Sequence, residues 1–180
     1  MGVDFYCGDK LFNCSYGSWH NIRLDIIKST FDYIKDKFEK DKELYGNIED
    51  EDDENWIGEG SQYENYMNEL NEFMEECLNQ KNDVLLDCFV EFSPINALYY
   101  FDLGGLFSFC NQSDCDGFYS PGNSLDICIL FDKIKPFTSK YNLLQDCIYN
   151  EEFNQINHNN NCVYSIFEES YKNRENVIIS

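Results

Sequence analysis

Between residues 19 and 38 the large apolar side chains fall at Trp19, Ile22, Ile26, Ile27, Phe31, Ile34 and Phe38. That spacing of three and four is gathered onto one face only by an α-helix. Lys and Asp fill the positions between, so the opposite face belongs to water. Such a helix must have its stripe covered, and the flanking sequence says by what. Upstream, residues 3–7 form a short, apolar, β-prone run that stops at Gly8-Asp9, a pair suited to a tight turn. The sequence thus predicts an opening strand, then a long amphipathic helix with Ser18 as its N-cap, ending near Tyr45-Gly46.

Residues 47–61 contain the run "EDEDDE", whose charges repel and which buries too little to order itself, so a mobile acidic loop is expected, tacked back by Trp56 and Ile57. Tyr63, Tyr66, Met67, Leu70, Phe73, Met74, Cys77 and Leu78 repeat the helical period and predict a core stripe. The bursts "VLLDCFVEF", "ALYYF" and "GLFSFC" then read as strands of a buried sheet. Leu125, Cys128, Phe131 and Ile134 mark a short helix stopped by Pro136, and Tyr141, Leu144, Cys147 and Ile148 another. Residues 154–161 read as an Asn-rich loop, residues 162–171 as a last helix, and "VIIS" as a closing strand. With no internal repeat or clear boundary in 180 residues, the expected architecture is one α+β domain: a small, mainly antiparallel sheet covered by amphipathic helices.

The formal charge of -21 bears directly on partners. A field of that sign repels phosphate backbones and anionic lipid, so neither nucleic acid nor a membrane surface is an expected partner. What it suits is solubility or a basic protein. No run approaches the roughly 20 apolar residues of a membrane span. Nine cysteines follow no apolar leader after Met1, so the thiols are expected to be reduced in an intracellular, cytoplasmic setting. Gly2 is followed by Tyr6 where a myristoylation motif wants Ser or Thr. A single alanine, Ala97, amid abundant Asn, Ile, Tyr and Lys points to an AT-rich genome, such as that of a large DNA virus.

The stretch "NQSDCDGFYSPGN", residues 111–123, is the one place where chemistry-bearing residues crowd together. A nucleophilic thiol at Cys115 would need a nearby cation, and Asp114 and Asp116 supply the opposite charge. Aligning Gly117 with the glycine of a calcium loop puts Gln112 first and Asn123 last, without the bidentate Glu. His20 and His158 lack zinc-motif spacing, although Cys7, Cys14, Cys110 and Cys115 remain a set that folding could gather. As structure, the stretch reads more simply. Asp114 through Gly117 suits a type I turn, and Ser120-Pro121 suits a helix cap and first turn. The two carboxylates would then hold main-chain amides and a basic side chain, with Arg23, one turn beyond His20, as the candidate partner.

"SYGSWHNIR" and "SDCDG", with the opening Met-Gly-Val-Asp-Phe, resemble a family of small uncharacterised bacterial and viral proteins. That family carries a Ser-Tyr-Gly-aromatic segment followed by Arg, then His-Ser-Asp-Cys-Asp-Gly with Ser-Pro soon after. The resemblance implies a shared fold rather than a reaction, and it singles out Tyr16, Trp19, His20, Arg23, Ser113, Asp114, Cys115, Asp116 and Gly117. Gln112 stands where the family has His, which argues against a metal ligand or proton shuttle there. No catalytic constellation, cofactor motif or metal pattern is complete, so the expected role is a non-catalytic intracellular binding or accessory protein of unspecified oligomeric state. The rivals are a metal-dependent hydrolase using Asp114, Asp116 and His20, and an acidic decoy for a basic nucleic-acid-binding protein.

Overall fold

A computed structural model describes residues 2–45, 72, 103–110, 117–158 and 161–180. The opening strand β1 (Gly2–Cys7) pairs antiparallel with a second strand, β2 (Lys10–Ser15), in a register running from Gly2 opposite Ser15 to Cys7 opposite Lys10. Gly8 and Asp9 make the two-residue turn, with Gly8 at φ 57°, a conformation in which a Cβ would be strained. Along β1 the side chains alternate, with Val3, Phe5 and Cys7 buried and Tyr6 exposed.

Helix α1 (Tyr16–Tyr45) follows β2 directly. Its cap is Ser15, not the expected Ser18: the Ser15 hydroxyl accepts the Ser18 N–H at 3.2 Å. The last residue of a strand already has the extended backbone that a cap requires, so the helix starts a turn earlier than the apolar stripe suggests. Trp19, Ile22, Ile26, Ile27, Phe31 and Ile34 are buried, as the spacing predicts.

The chain continues through α2 (Gly104–Cys110), β3 (Gly117–Tyr119), α3 (Pro121–Ile134) with a 3-10 turn at Lys135–Phe137, α4 (Asn142–Tyr149), α5 (Glu151–His158), α6 (Val163–Asn173) and β4 (Val177–Ile179). The strand order is β2-β1-β4-β3, all antiparallel, so the last strand lies between the first and β3. Asp4 and Ser180 exchange backbone hydrogen bonds at 3.0 and 3.1 Å, extending that pairing. The α+β class with a small antiparallel sheet is the one expected, and among the described residues that sheet has four strands.

Two secondary-structure readings are overturned, and one element was not foreseen. "GLFSFC" is not a strand but most of α2. Its buried residues, Gly105, Leu106, Phe109 and Cys110, fall at helical intervals. Residues 10–15, for which the sequence reading names no element, form β2 because β1 offers them a partner edge. Most of the Asn-rich segment is helix α5, in which Asn154 is buried and its side-chain amide donates to the Asn150 carbonyl four residues back, at 2.8 Å. Asparagine is only mildly unfavourable in a helix, and packing overrides it here. Leu125, which with Cys128, Phe131 and Ile134 marks helix α3 in the sequence, is 44% exposed, whereas the other three are buried. The acidic loop expected at residues 47–61, the helix expected around 63–78 apart from residue 72, the two strand-like bursts between 84 and 101 and the turn expected before Gly117 lie outside the described residues.

The core gathers around aromatic rings. Trp19 meets Phe5 at 4.7 Å and Phe109 at 5.0 Å between ring centroids; Phe109 meets Phe131 at 5.3 Å, and Tyr119 meets Phe167 at 5.0 Å. Residues of β1, β3, α1, α2, α3 and α6 are thereby packed against one another near the start of α1.

Candidate functional site

The first two turns of α1 carry four of the residues singled out in the sequence. Tyr16 packs partly buried against the core, while Trp19, His20 and Arg23 are 2%, 7% and 2% exposed. Trp19 and Arg23 are four residues apart and so share a helix face. That face is turned inward by the Trp19–Phe109 and Trp19–Phe5 contacts. A guanidinium so deep in the protein is tolerated only when its charge is compensated by partners.

The segment between α2 and β3 is the acidic connector. Ser113, Asp114, Cys115 and Asp116 lie outside the described residues, but both of its anchors are described. Cys110 before it is buried, and Gly117 after it opens β3 at φ 143°, in the region that favours glycine. Tyr119 closes the base: its hydroxyl donates to the Phe109 carbonyl at 3.1 Å, and its ring is fully buried against Phe5 and Phe167. The structure thus brings the two flanks of the connector to the ring cluster that holds Trp19. Sequence reasoning missed Tyr119, although a tyrosine two residues past a turn, with Ser-Pro following, is a candidate for such a clamp.

Ser120 and Pro121 do what was expected of them. Ser120 caps α3, accepting the Asn123 N–H at 3.2 Å, and the Asn123 side chain answers by accepting from the Ser120 N–H at 3.3 Å. Asn123 also reaches back to donate to the Ser108 hydroxyl at 3.2 Å, tying α3 to α2.

A second polar cluster, unforeseen in the sequence, centres on Glu151 at the start of α5. Its carboxylate accepts from the Cys162 backbone N–H at 2.7 Å, the Asn161 amide at 2.6 Å and the Ser165 hydroxyl at 3.0 Å. Asn161 in turn pairs with the outer edge of β2, its N–H donating to the Leu11 carbonyl at 2.7 Å and its side chain accepting the Leu11 N–H at 3.0 Å. Glu151 therefore serves as a remote cap for α6 and holds the segment that covers a sheet edge.

Burial alone would raise the Glu151 pKa, but the hydrogen bonds from Cys162, Asn161 and Ser165 outweigh it and bring it down to about 2. A depressed carboxyl contributes stability that is present above its unfolded pKa near 4.5 and is lost as pH falls toward 2. Glu151→Gln is expected to cost about 1–2 kcal/mol at neutral pH, allowing for solvent screening of a half-buried group. Urea midpoints of the two proteins, measured against pH, should converge between about 4.5 and 2; a gap that persists at low pH would refute the charged role.

The described cysteines, Cys7, Cys14, Cys110, Cys128, Cys147 and Cys162, are all free thiols. Burial, then nearby acids, raises Cys128 to about 12 and Cys147 to about 11, and raises Cys7 as well. These thiols are protonated and unreactive at neutral pH. Among the described residues no group of three or more His, Cys, Asp or Glu is placed to hold a metal ion, and no helix is long and apolar enough to cross a membrane.

Fold and site together define an α+β protein whose candidate residues on α1 are built into the aromatic interior at the root of the connector. No family model, curated protein or solved structure matches the chain.

Proposed function

We propose that this chain is a non-catalytic accessory protein that works inside the cell by binding a basic protein partner, and that its two motif segments are scaffold. The observation that carries this reading is the burial of Trp19, His20 and Arg23, which leaves the α1 half of the motif committed to packing. The charge of -21 supplies the preference for a basic partner. In this reading Asp114 and Asp116 hold main-chain amides of the connector and the Arg23 guanidinium.

The scaffold half is tested by a double-mutant cycle. Arg23→Met and Asp116→Asn, combined and apart, are expected to show a coupling of about 1–3 kcal/mol in urea unfolding, because each change strands the charge of the other. Repeating the cycle with Asp114→Asn identifies the closer carboxylate, and additive behaviour in both cycles would sink the pairing. The binding half is tested by titrating the full chain with polyarginine. Affinity should fall as salt rises, and turnover in a hydrolase screen together with stoichiometric metal lost in a folded Asp116→Ala variant would replace this reading with the hydrolase one.

A further inference from the structure

The outer face of the sheet carries a row of side chains that the core does not use. Tyr6 stands opposite Ile178 across β1 and β4, Ile178 stands opposite Phe118 across β4 and β3, and Leu11 stands opposite Tyr6 on β2. Directly opposed residues in antiparallel strands share a face, so this apolar row crosses all four strands. Tyr6 is 40%, Ile178 46% and Phe118 55% exposed, while their strand neighbours Phe5, Cys7, Val177, Ile179 and Tyr119 point into the core. The next position on the same face of β1 is acidic: Asp4, whose carboxylate accepts from the Tyr6 hydroxyl at 3.3 Å.

The chemistry of this face selects among occupants. A second copy of the chain would bring two charges of -21 together, and repulsion of that sign opposes self-association. Single-stranded nucleic acid stacks on exposed sheet aromatics, but phosphates are repelled by Asp4 and by the whole-molecule field. A cationic polypeptide has neither problem. Arginine stacks on ring faces and forks onto carboxylates, and an apolar side chain between arginines fits the exposed Ile178.

We propose that Tyr6, Ile178 and Phe118, with Asp4 beside them, form the docking surface for an extended segment of the basic partner in which arginines alternate with apolar residues. The proposal rests on the basic-partner reading above and gives that partner a place on the molecule. The probe is a short synthetic peptide alternating arginine and valine, titrated into the isotopically labelled full chain at about 150 mM salt, where long-range attraction is largely screened. Its expected effect is to shift the amide resonances of Tyr6, Phe118 and Ile178. The Tyr6→Thr, Phe118→Thr double variant, which keeps β-prone residues at exposed positions, should fold normally and bind about tenfold more weakly.

If the peptide binds but the variant binds equally well, this face is the wrong one, while the basic-partner reading stands. If the peptide does not bind the parent chain at all, the proposal fails, and the basic-partner reading falls with it only if polyarginine also fails to bind. Binding of a glutamate-valine peptide or of oligothymidine with equal affinity would also overturn the proposal, as would concentration-dependent dimerisation in sedimentation that the double variant abolishes.

Discussion

Gly105→Ala is expected to destabilise the protein by about 3 kcal/mol, although helix propensity taken alone predicts a gain of about 1 kcal/mol. A Cβ at this position would lie 2.2 Å from the Asp126 carbonyl oxygen and 2.9 Å from the Ile127 nitrogen, which are backbone atoms of α3. Backbone cannot swing aside as a side chain does, so α2 and α3 must separate and the packing of Leu106, Phe109 and Ile127 loosens with them. The matched control is Gly17→Ala on α1, where no atom lies within 4 Å of the added carbon. That change should be neutral or stabilising by about 0.5 kcal/mol. Thermal unfolding reads both, at roughly 2–4 °C per kcal/mol for a chain of this size. Equal and small shifts for the two variants would mean that α2 does not rest on α3.

Phe109→Ala should cost about 4 kcal/mol, the range of a large aromatic removed from a closed core. Phe109 is 1% exposed and touches Trp19, Tyr119, Phe131 and Phe167, so its loss empties the centre of the ring cluster and not its margin. It also loosens the carbonyl that Tyr119 holds, at the base of the acidic connector. Urea unfolding gives the magnitude. Phe109→Leu, which refills most of the volume, should recover more than half of the loss; a cost below about 1 kcal/mol for the alanine variant would show the cluster to be peripheral.

Elements with a strong period were legible in the sequence. The stripe of α1, the β1 run with its Gly8-Asp9 turn, the Ser120-Pro121 start of α3 and the closing strand all follow from local rules, because each depends on residues within one or two turns of chain. The failures share a cause. "GLFSFC" is apolar enough for either state, and it became helix α2 because Gly105 allows a close approach to α3. Lys10–Ser15 became β2 because β1 was beside it, and the Asn-rich segment became α5 through contacts no local propensity reports. Of the candidate site, the inward position of Trp19 was implied by the helical spacing. The roles of Tyr119, Glu151 and Asn161 were not, since their partners lie 10 to 150 residues away in the chain.

The α+β class, the opening strand with its Gly8-Asp9 turn and the apolar face of α1 were all readable from the chain alone, because periodicity and turn chemistry are local properties. The placing of β4 between β1 and β3, which aligns Tyr6, Ile178 and Phe118 in one exposed row, came from the folded molecule. Strand order depends on which distant edges find each other once the core has closed, and no short-range pattern carries that information.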